Sequence, residues 1–251
     1  MAKTPRQLVN FLENVFQTHR YPPEEQGGVF QGSTRPIARL GLALEPAPEL
    51  NEWVFRENLD ALWLHRPWQL DPAALPPGVG VLFHHLPFDE TLTLGYNDPL
   101  AAALKLENGE ELGHKQAPGF PPRAIGMLGD APATPLAEWL ELLTAEFGGH
   151  EEVLKGKKDP IHRVAVVGAM TDALVREAAD RGAALYLTGQ VRQPARRAVE
   201  ESGLSVVAIG HRRSEEWGLR ALADVLRANF PDVETVVYPS FLTNSAEVLS
   251  A

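Results

Sequence analysis

The chain has no cysteine among its 251 residues. That absence excludes disulfides, thiolate metal ligation and a cysteine nucleophile, so any metal site must be built from His, Asp and Glu. Such nitrogen and oxygen donors suit zinc, manganese or non-haem iron. Positive charge is also short, with 23 Lys and Arg against 33 Asp and Glu and a formal net charge of −10 at pH 7. A surface this acidic argues against nucleic acid or an anionic membrane as the main partner. No apolar run approaches the roughly 18 residues of a membrane span. The opening stretch MAKTPRQLVNFLENVF has no apolar signal core. A cytoplasmic location is the expectation.

What the chain does have is core-forming material. At 44% apolar residues it suits one large domain or two small lobes. Leu8, Phe11, Leu12 and Val15 recur at helical spacing behind a Thr4-Pro5 start. YPPEEQGGVFQGSTRP (21–36) reads as a loop, with Gly27, Gly28 and Gly32 making it flexible. Strands are expected at 37–44, 61–65, 79–85 and 123–129, and helices at 50–59, 99–106 and 135–147. The stretch from the end of the 99–106 helix to Pro122 reads as loop-rich and marks the expected boundary. An N-terminal α/β lobe would span 1–118 and a C-terminal α/β lobe 119–251, whose last helix and strand could pack back on the first. From Arg163 onward apolar strands alternate regularly with helices, which argues for an α/β fold with largely parallel sheets.

Histidine is scarce, eight in all, yet three apolar strands end in one. LHRPW carries His65. HHLPFD carries His84 and His85, with Asp89 four residues after the second. GHRRSE carries His211 and, four residues on, Glu215. Ligands of open α/β sheets collect at the carboxyl ends of strands. Residues four apart on a helical turn point the same way, so each pair could chelate one ion. The ordinary alternative is that a strand-end histidine bonds a carbonyl or makes one salt link. Arg192, Arg196, Arg197, Arg212 and Arg213 form a basic group in an acidic chain. It reads either as a solvated helix face balanced by Glu200, Glu201 and Glu216 or as a dock for an anion.

Taken together, GGVFQG (27–32), LHRPW (64–68), HHLPFD (84–89), GYND (95–98), LTGQ (187–190) and GHRRSE (210–215) resemble the Nif-three-like dinuclear metal centre hexamer family, the GTP cyclohydrolase I type 2 homologues. The order and approximate spacing hold over nearly the whole chain. The resemblance implies two similar α/β lobes in a Nif-three-like fold. It also implies metal ligands at His65, His85, Asp89, His211 and Glu215, with Glu215 and Asp89 in catalytic roles. His84 would be structural. One or two divalent ions, zinc, iron or manganese, would be bound per chain, or none. A homohexamer built as a trimer of dimers follows from the same resemblance, with a small anionic or nucleotide-like ligand. The family's His-His-Pro is His65-Arg66-Pro67 here, and its early Asn is Gly27. A guanidinium has no lone pair for a metal and stays charged, so one ligand has become a cation. Arg66, Arg212 and Arg213 are the expected anion-binding residues. Two activities compete: a metal-dependent hydrolase with an altered site, in which Arg66 could stand in for one ion, and a non-catalytic metal- or anion-binding adaptor.

Overall fold

The structure, a computed structural model, describes residues 3–33 and 35–239. By its internal contacts the chain divides into two units, one made of residues up to Phe88 and from Leu219 onward, the other of Asp89–Gly218.

In the first unit, helix α1 (Pro5–Val15) starts on a capping box. The Thr4 side chain accepts from Gln7 N–H, and the Gln7 side chain accepts from Thr4 N–H, so two otherwise orphaned amides are satisfied. The chain continues through α2 (Pro23–Gln26), β1 (Gly28–Gln31), β2 (Arg39–Ala43), α3 (Leu50–Arg56), β3 (Ala61–Leu64) and β4 (Gly80–Phe83). The closing strand of this sheet, β11 (Glu234–Val237), comes from the far end of the chain. The order is β1-β4-β3-β2-β11, parallel throughout except for the β1–β4 pair. Every residue of β3 is buried. Strands covered on both faces need continuous apolar runs, which is why ALWL does not alternate. Leu62 and Leu64 pack with Trp53 and Val54 of α3, whereas Trp63 meets Phe16 and Phe88.

The second unit contains α5 (Asp98–Ala103), β5 (Glu107–Lys115), β6 (Arg123–Thr134), α6 (Leu136–Phe147), β7 (Glu152–Leu154) and β8 (Ile161–Val167). These are followed by α7 (Asp172–Asp180), β9 (Leu185–Thr188), α8 (Arg196–Ser202) and β10 (Ser205–Ala208). Helix α4 (Leu86–Leu92) and helix α9 (His211–Asn229) each contain one of the two division points. The sheet order is β5-β6-β8-β9-β10-β7, with a parallel centre β8-β9-β10 and antiparallel strands at both edges. Both sheets are therefore mixed. Tyr186, Val206 and Ala165 are fully buried here beneath Val175 and Ala178 of α7 and Ala198 of α8.

Three strands depart from the sequence-based expectation. Residues 28–31, read as loop, form β1 at a sheet edge. Residues 107–115, also read as loop, form β5, a long hairpin arm with mostly exposed side chains. The Pro- and Gly-rich stretch up to Pro122 joins β5 to β6 within one sheet. The third is β7, three half-buried residues. In all three, backbone pairing to an apolar neighbour stands in for an apolar pattern of their own.

Asp89 owes its placement to the residue after it. Glu90 is buried, and its carboxylate accepts from Arg123 Nε of β6 at 2.6 Å and from Lys115 Nζ of β5 at 3.1 Å. This ties α4 to the β5–β6 hairpin. The Arg123 side chain is only 7% exposed, and a buried charge stripped of its partner is costly. Glu90→Ala should therefore lower stability by about 3 kcal/mol in urea unfolding followed by circular dichroism. A loss within experimental error would show that the ion pair does not anchor the helix.

Candidate metal centre

Parallel pairing decides which side chains meet. Leu64 of β3 lies opposite Phe83 of β4, so the residues following both strands leave the sheet at the same edge. The main chain stays pinned past the strand end, with His65 N–H donating to Ala43 O at 3.2 Å and Arg66 N–H to Leu44 O at 2.7 Å. The His65 ring is fully buried and its centroid lies 4.9 Å from that of His85. Helix α4 then begins, and its first turn presents Asp89. His65, His85 and Asp89 each offer one ligand atom, and these atoms all lie within 4.8 Å of one another.

The adjacent histidines divide their work. His84 turns into the core, where its Nδ1 accepts from Trp63 Nε1 at 3.1 Å and Phe16 packs on its ring at 4.7 Å. Burial pushes its pKa down to about 3, because an imidazolium has no water there to solvate it. Its main-chain carbonyl has a different task. His65 Nδ1 lies 3.2 Å from His84 O, and since a carbonyl only accepts, that nitrogen carries the proton. The Nε2 lone pair of His65 is then the one open to a ligand. Gly27 lets the preceding loop reach this strand end. Its φ is +79°, and a Cβ there would stand 2.3 Å from Phe83 O, so no side chain has room in this backbone.

Arg66 meets the same lone pair. Its Nη1 lies 3.2 Å from His65 Nε2, and a guanidinium can only donate. Its Nε is 3.6 Å from Glu45 Oε2. Glu45 was not among the residues singled out by sequence. Trp68 stands edge to face with His85 at 5.9 Å and with Phe83 at 5.6 Å, yet is 58% exposed. Its place two residues after Arg66, in LHRPW, was the available signal. Trp53, Trp63 and Trp217, in contrast, are buried.

His211 and Glu215 form a pair of their own in the second unit, on the first turn of α9. His211 Nε2 is 2.9 Å from Glu215 Oε1, with the histidine mostly exposed and the glutamate buried, as four-residue spacing on a helix requires. Arg212 Nε donates to Glu216 Oε1 at 3.0 Å, and Arg213 Nη1 lies 3.9 Å from Glu151 Oε1. Arg197 is likewise bonded to Glu201. Much of the basic group is thus balanced by neighbouring carboxylates.

The sequence profile of Duf34/NIF3 (NGG1p interacting factor 3) matches residues 73–242. The chain belongs to the Duf34/NIF3 family. The matched span holds His85, Asp89, His211 and Glu215, while His65 and Arg66 precede it. Among relatives, a GTP cyclohydrolase 1 type 2 homolog of Pyrococcus horikoshii is 28% identical over 92% of this chain and 95% of its own length. The homolog of the same name from Allochromatium vinosum is 24% identical over 90% and 92%. A Staphylococcus aureus hypothetical protein of known structure superposes with a TM-score of 0.75 at 14% identity, covering 96% of this chain and 97% of that one. That last likeness is one of fold.

A pH effect follows from His84. Below about pH 6.5 the unfolded chain takes a proton at this imidazole that the folded chain refuses until about pH 3. Stability therefore falls as pH drops through that window. Between pH 6.5 and 5 the group should cost roughly 1.5–2 kcal/mol. The check is chemical denaturation of chelator-treated protein, in which His84→Gln should show a shallower decline than wild type. Parallel curves would assign the decline to other groups.

Proposed function

We propose that the chain binds a divalent cation, zinc, iron or manganese, through His65, His85 and Asp89, and works as a metal-dependent, hydrolase-like protein of the GTP cyclohydrolase 1 type 2 homologue kind with a site altered by Arg66. One observation supports this above others: three nitrogen and oxygen donors gathered within 4.8 Å where two parallel strands end. The donor set fits the ion, since two imidazoles and a carboxylate suit these metals and the His65 tautomer turns a lone pair outward. A bound divalent cation there would supply Lewis acidity toward an oxygen of a hydrolysable substrate. The chain's own contribution is orientation. The His84 carbonyl holds the His65 ring, the β3–β4 register sets His85 beside it, and the Glu90 ion pair holds the helix that presents Asp89. By family resemblance the proposal also takes in His211 and Glu215 as ligands, Glu215 and Asp89 in catalysis, Arg66, Arg212 and Arg213 as anion contacts, and a homohexamer built as a trimer of dimers.

Arg66 favours a second reading, a non-catalytic metal- or anion-binding, ring-forming adaptor. A guanidinium that donates into His65 Nε2 competes for the lone pair and repels a dication at short range. Both readings give at most one cation per chain. Elemental analysis of protein purified without chelator should find one equivalent or fewer in wild type and none in His85→Ala. Arg66→Leu should bind zinc about tenfold more tightly. Two equivalents in wild type would overturn the role given to Arg66, and no zinc uptake by either wild type or Arg66→Leu would overturn the metal site. Hydrolysis across a nucleotide panel that rises with metal loading and vanishes in His85→Ala selects the hydrolase; full metal occupancy without hydrolysis selects the adaptor.

A further inference from the structure

Half of the chain's six lysines lie within four residues, Lys155, Lys157 and Lys158. They follow the edge strand β7 in the second unit, beside a cavity of about 510 Å³. Leu154, Val199 and Leu204 give that cavity an apolar wall, while Lys155 and Lys157 bring two cations to its lining against one carboxylate, Glu200; Arg196 also lines it but is paired with Glu152. In a protein of net charge −10 this is a local reversal of sign.

Two neighbouring acids outside the lining are already engaged. Glu152 is paired with Arg196, and Glu201 is held by both Arg176 and Arg197, which lower its pKa. Among the described residues no ion pair is found for Lys155 or Lys157. The backbone that presents them is anchored. Gly156 N–H donates to Ser205 Oγ at 3.0 Å and Lys157 N–H to Gly203 O at 2.9 Å. A Cβ on Gly156 would stand 2.4 Å from Gly203 O, so only glycine lets the two segments close up. On the far side Lys158 Nζ donates to Ala183 O at 3.0 Å. The aliphatic stem of Lys157 passes over Gly203, 3.5–3.7 Å from where a Cβ would sit. Two lysines are thus presented by an anchored backbone on the rim of an apolar-walled cavity of small-molecule size.

The geometry points to a binding site for a small organic anion, a phosphate monoester or sulfonate carried on an apolar body. The anionic group meets Lys155 and Lys157, and the body lies on Leu154, Val199 and Leu204. This site is independent of the His65, His85, Asp89 cluster and of any metal held there.

Anilinonaphthalene sulfonate, a fluorescent aryl sulfonate, is the probe. Wild type should bind one equivalent saturably. The Lys155→Ala/Lys157→Ala double variant, whose changes are on exposed side chains, should bind about tenfold more weakly or worse. Lys105→Ala and His85→Ala should bind as wild type does. Phenyl phosphate should displace the probe at lower concentration than inorganic phosphate. Saturating probe should also protect Lys155 and Lys157, and not Lys105, from acetylation read by mass spectrometry. Unchanged affinity in the double variant, or equal acetylation with and without probe, overturns the site. Equal displacement by the two phosphates overturns the apolar part of the ligand class.

Discussion

The contact between His65 Nδ1 and the carbonyl of His84 is the constraint on which the centre depends. A carbonyl has only lone pairs to offer, so this single contact fixes the tautomer of a buried imidazole and with it the direction of its ligand lone pair. The contact exists because β3 and β4 are parallel neighbours in one register. It also requires the His84 side chain to be stored elsewhere, which is the task of Trp63 and Phe16. An aromatic pocket that keeps His84 neutral thus lets its backbone serve His65. The cost is a buried titratable group that weakens the fold in acid.

Arg66 sits at the opposite end of the same ring. In an ordinary two-histidine arrangement, consecutive residues would bring two lone pairs to the strand end. Here the residue after His65 is a donor, and the geometry joins donor to acceptor within one dipeptide. Glu45 balances the guanidinium from the side. Ring, guanidinium and carboxylate thus form one connected set at the strand end.

Much of this was legible in the sequence. Strand-end histidines could be recognised because apolar runs stop abruptly at them, and the four-residue spacing to Asp89 and Glu215 anticipated how each pair would turn. The choice of His85 over His84 came from that spacing together with the resemblance. The polar strands were not legible. Glu107–Lys115 has no apolar alternation, and Gly28–Gln31 lies among glycines, so pairing to β6 and β4 is what makes them strands. Glu45 could not be found because it reaches Arg66 from another loop. That no ion pair is found among the described residues for Lys155 or Lys157 needed the structure as well, since it depends on arginines elsewhere in the chain having paired with Glu152 and Glu201.

The shared carboxylate of Glu90 carries one more implication. It pins α4 at two points, because the same side chain grips both arms of a hairpin, one residue after a ligand candidate. Its two grips differ in solvent access. Arg123 is buried and little affected by salt, while Lys115 is about half exposed and is screened as ionic strength rises. The outer grip therefore loosens with salt and the inner one does not.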